Sequence, residues 1–222
     1  MVPVFKLKER APFVLTDLVT GRPGQVASRH LSLNDLPAIG LFAFDGGEGI
    51  RDAHYEGEAI YFGLEGAPLI QLQEAQDVLD PGDAFIVPGD MPHSIAGDSP
   101  FHLLRITLPA GEEHSQTRHL IKGHAVHLAE AMAYAEDEVV SLTICQRAEL
   151  SLTVLACAAQ TRIGRHKSQG DALALILEGT ATITVGEETH QVHAGEALFM
   201  PAQIPHALQT EAGFKMFLIV SF

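Results

Sequence analysis

The chain has 222 residues, 46% of them hydrophobic and 19% charged, with 14 Lys and Arg against 28 Asp and Glu and a formal charge of −14. That composition excludes a disordered chain, and its acidity argues against nucleic acid or an anionic membrane surface as a partner. No apolar run is long enough to span a bilayer, Met1 to Arg10 lacks the apolar stretch of a secretory signal, and Cys145 and Cys157 are too few for a disulfide framework, so free thiols in a cytoplasmic protein are expected.

In chain order, Leu15 to Val19 has weak helical character. Leu69 to Gln73 alternates apolar and polar residues, as a half-buried strand does. A polar connector at about 109–125 holds Gly111, Gly123 and several His, and is read as a solvated linker. Leu128 to Tyr134 is predicted as two helical turns. Cys145 and Cys157 fall on predicted strands, where buried inert thiols are expected. Leu173 to Leu177 is a short apolar run. Thr180 to Val185 alternates and is rich in β-branched residues, Gly186-Glu187 turns the chain, and Thr189 to His193 alternates again, which together predict a hairpin. Many short strands bounded by Gly and Pro point to an all-β sandwich or barrel.

The chain repeats itself. At an offset of 113, residues 1–109 fall without a gap on 114–222, with 20 identities in 109 pairs, where composition alone gives roughly 7. The identities cluster. Leu64-Glu65-Gly66 matches Leu177-Glu178-Gly179, and Gly82, Pro88, Pro92 and His93 match Gly195, Pro201, Pro205 and His206. A constant offset of this length means one structural unit written twice, so two domains are predicted, 1–109 and 110–222. Their acidity is shared, with 7 basic and 15 acidic residues in the first and 7 and 13 in the second. His102 matches Lys215, which suggests an outward position for both.

The paired Gly-x5-Pro-x4-His and Leu-Glu-Gly motifs resemble those of the cupin superfamily, small barrels of the jelly-roll type. Both halves carry them, so the resemblance implies an all-β bicupin, two tandem RmlC-like jelly-roll barrels related by internal duplication. Leu41 to Gly49 and Ala202 to Leu208 are similar to the uncharacterised small bacterial cupins. Metal-binding cupins use two His and a Glu from a first motif and a His from a second. By that pattern the resemblance implies His54 with His93, and His166 with His206, as metal ligands. Asp52 is a weaker candidate in the first copy, and Gln160 or Ser168 in the second. The ligand Glu is replaced by Ala59 and Ala172. Glu58 and Asp171 stand one residue away, which in a strand turns them to the other face.

A first-row metal takes three or four N and O donors, and each copy supplies two His. The expected cofactor is therefore a divalent Zn, Ni, Fe or Mn ion, or none. The missing Glu also frees space. At the same strand parity lie Ala59 and Tyr61 in the first copy, and Ala172, Ala174 and Ile176 in the second with Met200 nearby. These would line a mostly apolar pocket, the usual form of a small-molecule site, or would simply pack the core. Three functions stay open: a small-molecule-binding bicupin with degenerate metal sites, a metal-dependent oxygenase, isomerase or hydrolase, and a metal-free structural or regulatory barrel pair. The expected assembly is a monomeric pseudo-dimer or a homodimer.

Overall fold

The structure is a computed structural model and describes residues 11–31, 38–111 and 117–222. The strands of the N-terminal half are β1 (Phe13–Val14), β2 (Val26–His30), β3 (Ala38–Phe44), β4 (Gly49–Ala53), β5 (Ala59–Glu65), β6 (Leu69–Leu72), β7 (Ala75–Val78), β8 (Asp83–Val87), β9 (His93–Ala96) and β10 (Phe101–Thr107). Then follow β11 (Ala125–His127), β12 (Val139–Gln146), β13 (Leu150–Cys157), β14 (Arg162–His166), β15 (Asp171–Val185), β16 (Glu188–His193), β17 (Glu196–Met200), β18 (His206–Gln209) and β19 (Phe214–Ser221). Leu15–Leu18 forms one turn of 3-10 helix. No described helix is long and apolar enough to cross a membrane.

Two compact units result, one of residues 15–127 and the other of 128–222 with the chain up to Val14. In the first unit a six-stranded sheet, β11-β8-β5-β10-β3-β2, is joined by a four-stranded sheet, β4-β9-β6-β7. All pairings are antiparallel. Strand parity decides what faces the interior. Ala59 and Tyr61 of β5, Phe85 and Val87 of β8, and Phe101 and Leu103 of β10 meet in one core with Ile70 and Ile95 of the smaller sheet. The second unit has the order β1-β17-β15-β19-β13-β12, with β16 and β18 on the far half of β15 and β14 on β18. Its core joins Ala172, Ala174 and Ile176 to Met200, Phe214 and Met216.

The division at 109/110 suggested by the repeat and the compact units do not coincide. Phe13 and Val14 match Val126 and His127 by the offset of 113. β11 pairs with β8, and β1 pairs with β17. Each of these short strands therefore edges a sheet built from the other copy's residues.

The recurrent glycines have a backbone reason. Gly82 and Gly195 sit at φ 92° and 86°, and Gly66 and Gly179 at 76° and 78°, where a side chain is strained. The Leu-Glu-Gly carboxylates also have matched partners. Glu65 meets His102 at 3.2 Å, and Glu178 meets Lys215 at 3.1 Å. Lys215 is not outward. It is buried and donates to the carbonyl of Ala129 at 2.7 Å.

The helix expected at 128–134 does not form, and the segment makes turns instead. So short a helix is marginal alone. The predicted hairpin forms, with Gly186-Glu187 at its turn. Cys145 and Cys157 are buried and form no disulfide.

Candidate functional site

The second unit brings two histidines together. His166 ends β14 and His206 begins β18, directly after Pro205. A register shift after Ile163 sets them opposite each other, and their rings meet edge to face with centroids 4.3 Å apart. Each ring is fixed by its own loop: Nδ1 of His166 donates to the carbonyl of Gly164 at 2.9 Å, and Nδ1 of His206 to that of Ile204 at 3.1 Å. A carbonyl only accepts, so Nδ1 carries the hydrogen and Nε2 keeps a lone pair on both rings.

His206 is buried, and that burial pushes its pKa below the usual histidine value, with His166 beside it acting the same way. Its ladder neighbour Val185 packs on the core that holds Ala172, Ala174, Ile176 and Met200. His206 thus stands beside an apolar floor, and the exposed His166 meets it from the outside. The weaker candidates are elsewhere engaged. Gln160 lies before β14, at the end away from His166, and its amide donates to the carbonyl of Glu211 at 3.1 Å. Ser168 Oγ accepts from the Gly170 N–H at 3.2 Å. Asp171 accepts from the N–H of Ala202 at 2.8 Å.

The first unit is built differently. The register that sets His166 opposite His206 sets Ala53 opposite His93. His54 lies one residue further on, half exposed, with Nε2 3.5 Å from Asp90. Asp52 is exposed, with φ 50° inside the irregular stretch of β4. His93 has another partner. Its Nδ1 donates to the Met91 carbonyl at 3.1 Å, so its Nε2 accepts, and the Tyr61 hydroxyl donates to it at 2.7 Å. The nitrogen that a metal would take is therefore already bonded.

Burial pushes the Tyr61 phenol pKa up, with Tyr55 acting in the same sense, and keeps it a donor. Burial also lowers the His93 pKa. Ala59 packs in the same core as Tyr61. Glu58 faces away as its parity predicts, accepting from the Thr117 N–H at 2.7 Å and pairing with Lys122.

Two further residues complete this cluster, and motif spacing missed both. Arg105 of β10 stands across from Tyr61 in the ladder. Its Nη1 donates to the Tyr55 hydroxyl at 2.7 Å, and its guanidinium lies 4.4 Å over the Phe42 ring. A signal was available. Phe101 and Leu103 are inward at odd positions, so Arg105 is an inward cation in an apolar series.

Neither unit fits a first-row metal as it stands. In the first the Nε2 of His93 is taken by Tyr61, and the second offers two imidazoles of the three or four donors needed. Among the described residues no three His, Cys, Asp or Glu come together.

Residues 154–221 match the family model described as a cupin domain. No curated protein matches the chain. Among solved structures, the cupin 2 conserved barrel domain protein from Leptotrichia buccalis is similar over 99% of this chain and all of its own, at 24% identity and a TM-score of 0.85. Salicylate 1,2-dioxygenase from Pseudoaminobacter salicylatoxidans, in adducts with gentisate, is similar over 99% of this chain and 83% of its own, at 15% identity and a TM-score of 0.66. A putative glyoxylate-induced protein from Pseudomonas aeruginosa is similar over 93% and 84%, at 13% identity and a TM-score of 0.64. At these identities the likeness is one of fold.

Proposed function

We propose, for a chain that belongs to the cupin superfamily, that the second barrel binds a small molecule with a compact apolar body and a hydrogen-bond donor. The observation that carries this is the His166–His206 pair, with two Nε2 lone pairs beside an apolar floor. Two acceptors call for a ligand hydroxyl or N–H, because a carboxylate or carbonyl oxygen there would meet lone pair against lone pair. The apolar floor supplies affinity, and the histidines supply orientation.

The convergence of two free imidazole nitrogens also supports a second reading. A Zn, Ni, Fe or Mn ion could sit on the pair if the ligand or water completed its donors. Such an ion would supply Lewis-acid chemistry when bound. Salicylate 1,2-dioxygenase, by its name an enzyme, shares the fold, so a catalytic cupin remains within this reading. The acting assembly is a monomer or a homodimer.

The test is a thermal-shift and calorimetric screen of small phenols and alcohols against their methyl ethers, beside elemental analysis of the purified protein. Hydroxyl compounds should bind, and their ethers should not. His206→Asn should abolish the difference. Equal binding of ether and phenol overturns the reading, and a full equivalent of metal lost in His206→Asn replaces it with the second.

A further inference from the structure

The first barrel holds a cation that the fold does not require. Arg105 lies at an inward position of β10, and its repeat counterpart in the second barrel is Leu218, which packs against that barrel's core. The neighbours differ in the same direction. Tyr61 corresponds to Ala174 and Tyr55 to Ser168. One backbone design thus tolerates an apolar lining, and the first copy carries a polar one instead.

Burying an arginine is costly unless its charge and its N–H groups are matched. Here they are not. Nη1 is used on Tyr55, but Nε is buried with no hydrogen-bond partner, and among the described residues no carboxylate pairs with this guanidinium. Phe42 beneath it offers a π face, which tempers a cation without neutralising it. The Tyr55 hydroxyl beside it is also poised as a donor. Tyr55 accepts from Arg105, which leaves its own O–H to give, while the Tyr61 O–H is already given to His93.

We infer that the first barrel is a binding site for a small organic monocarboxylate, with Arg105 and Tyr55 holding the carboxylate and Phe42 packing against the ligand body. One unmatched cation calls for one negative charge. A phosphate dianion would leave an excess negative charge in a barrel whose other groups, Tyr61 and His93, stay neutral. The planar fork of a guanidinium also matches a carboxylate in two-point geometry. This site is independent of the one proposed for the second barrel.

The test uses the intact protein. Tyr55 and Tyr61 are two of its three tyrosines, and it has no tryptophan, so intrinsic tyrosine emission reports on this cluster. The probes are acetate, benzoate, benzamide and inorganic phosphate. Benzoate should change the emission saturably and raise the melting temperature, whereas benzamide should do neither. Arg105→Leu, which installs the residue of the second barrel, should weaken benzoate at least about tenfold, as loss of a charge-assisted pair does. Tyr55→Phe should weaken it less, and His206→Asn not at all. The inference is overturned if benzoate and benzamide behave alike in the wild-type protein, if phosphate binds more tightly than either carboxylate, or if a folded Arg105→Leu keeps the wild-type affinity. Should Arg105→Leu not fold, the benzoate–benzamide comparison and Tyr55→Phe decide it.

Discussion

His206 and His93 follow the same Pro in the same motif, yet one keeps its Nε2 open and the other gives it to Tyr61. The open one has a pH signature. Burial holds the folded pKa of His206 below the ordinary value of 6.5. Below that value the unfolded chain takes up a proton that the folded chain refuses, so stability is lost as pH falls from 6.5 towards the folded pKa, and is unaffected above about 7.5. Urea midpoints at pH 7.5 and 5.5 should therefore fall further for wild type than for His206→Asn, whose amide can still donate to the Ile204 carbonyl. Equal falls would discount the burial account. Ala172 allows a second test. Placed in the core beside Met200, Ala172→Glu should lower the melting temperature without metal, because it buries a lone carboxylate. It should also raise Zn or Ni affinity at least about tenfold by adding a third donor. Competition with a chelator measures this, and an unchanged affinity would mean that position 172 does not face the histidines. Much of this was legible in the sequence: parity alone placed Ala59, Tyr61, Ala172, Ala174 and Ile176 inside. The partner of His93 was not, since motif spacing matched His54 to His166, whereas the register matches Ala53 to it. The offset of 113 sets Ala53 against His166 and agrees with that register, whereas the Tyr61–His93 bond joins residues 32 apart that no periodic pattern pairs.

The two copies differ most as elements along one path. Asp171–Val185 is a single 15-residue strand, with an irregularity between Ile176 and Glu178 where it passes from β19 and β17 to β16 and β18. The sequence shows it as two segments, Leu173 to Leu177 and Thr180 to Val185. Read locally, Glu178-Gly179 looks like a break, and only pairing on both sides carries the strand through. In the first copy the matching path is interrupted, as β5 and β6 with Pro68 between them. Proline has no N–H to give a ladder. Position 182 answers for the continuous strand. Thr182 is flanked by Gln191 on one side and Gln209 on the other, so its N–H meets a paired strand whichever way it points. Thr182→Pro should lower the unfolding free energy by about 1–3 kcal/mol relative to Thr182→Ala, measured by urea denaturation. Equal stability of the two would mean that this half of β15 carries no ladder. The helix expected at 128–134 failed because two turns are marginal on local propensity alone, and the segment settles into turns where Lys215, 86 residues away, donates to the Ala129 carbonyl.

At the scale of the whole molecule, the repeat separates what both halves share from what each carries alone. The turn glycines, the prolines before each His and the Glu of Leu-Glu-Gly occur in both copies, and belong to the barrel. Arg105 against Leu218, and Tyr61 against Ala174, belong to one copy each. Acidity falls in the first group, since both copies carry about twice as many acidic as basic residues. A charge of −14 confined to a compact fold repels itself more than the same charge spread along an expanded chain. Salt should therefore stabilise this protein at neutral pH. Raising ionic strength from 0.01 M to 0.15 M shortens the screening length from about 30 Å to about 8 Å. That spans the distance between neighbouring surface carboxylates, while the Lys122–Glu58 contact, whose carboxylate is buried, is screened much less and largely persists. The melting temperature should rise over this interval with sodium chloride, and by a similar amount with potassium chloride, because screening depends on ionic strength rather than on the ion. A melting temperature that fell with salt would mean that favourable ion pairs outweigh the net charge. A rise confined to one cation would point to a specific site instead of a field.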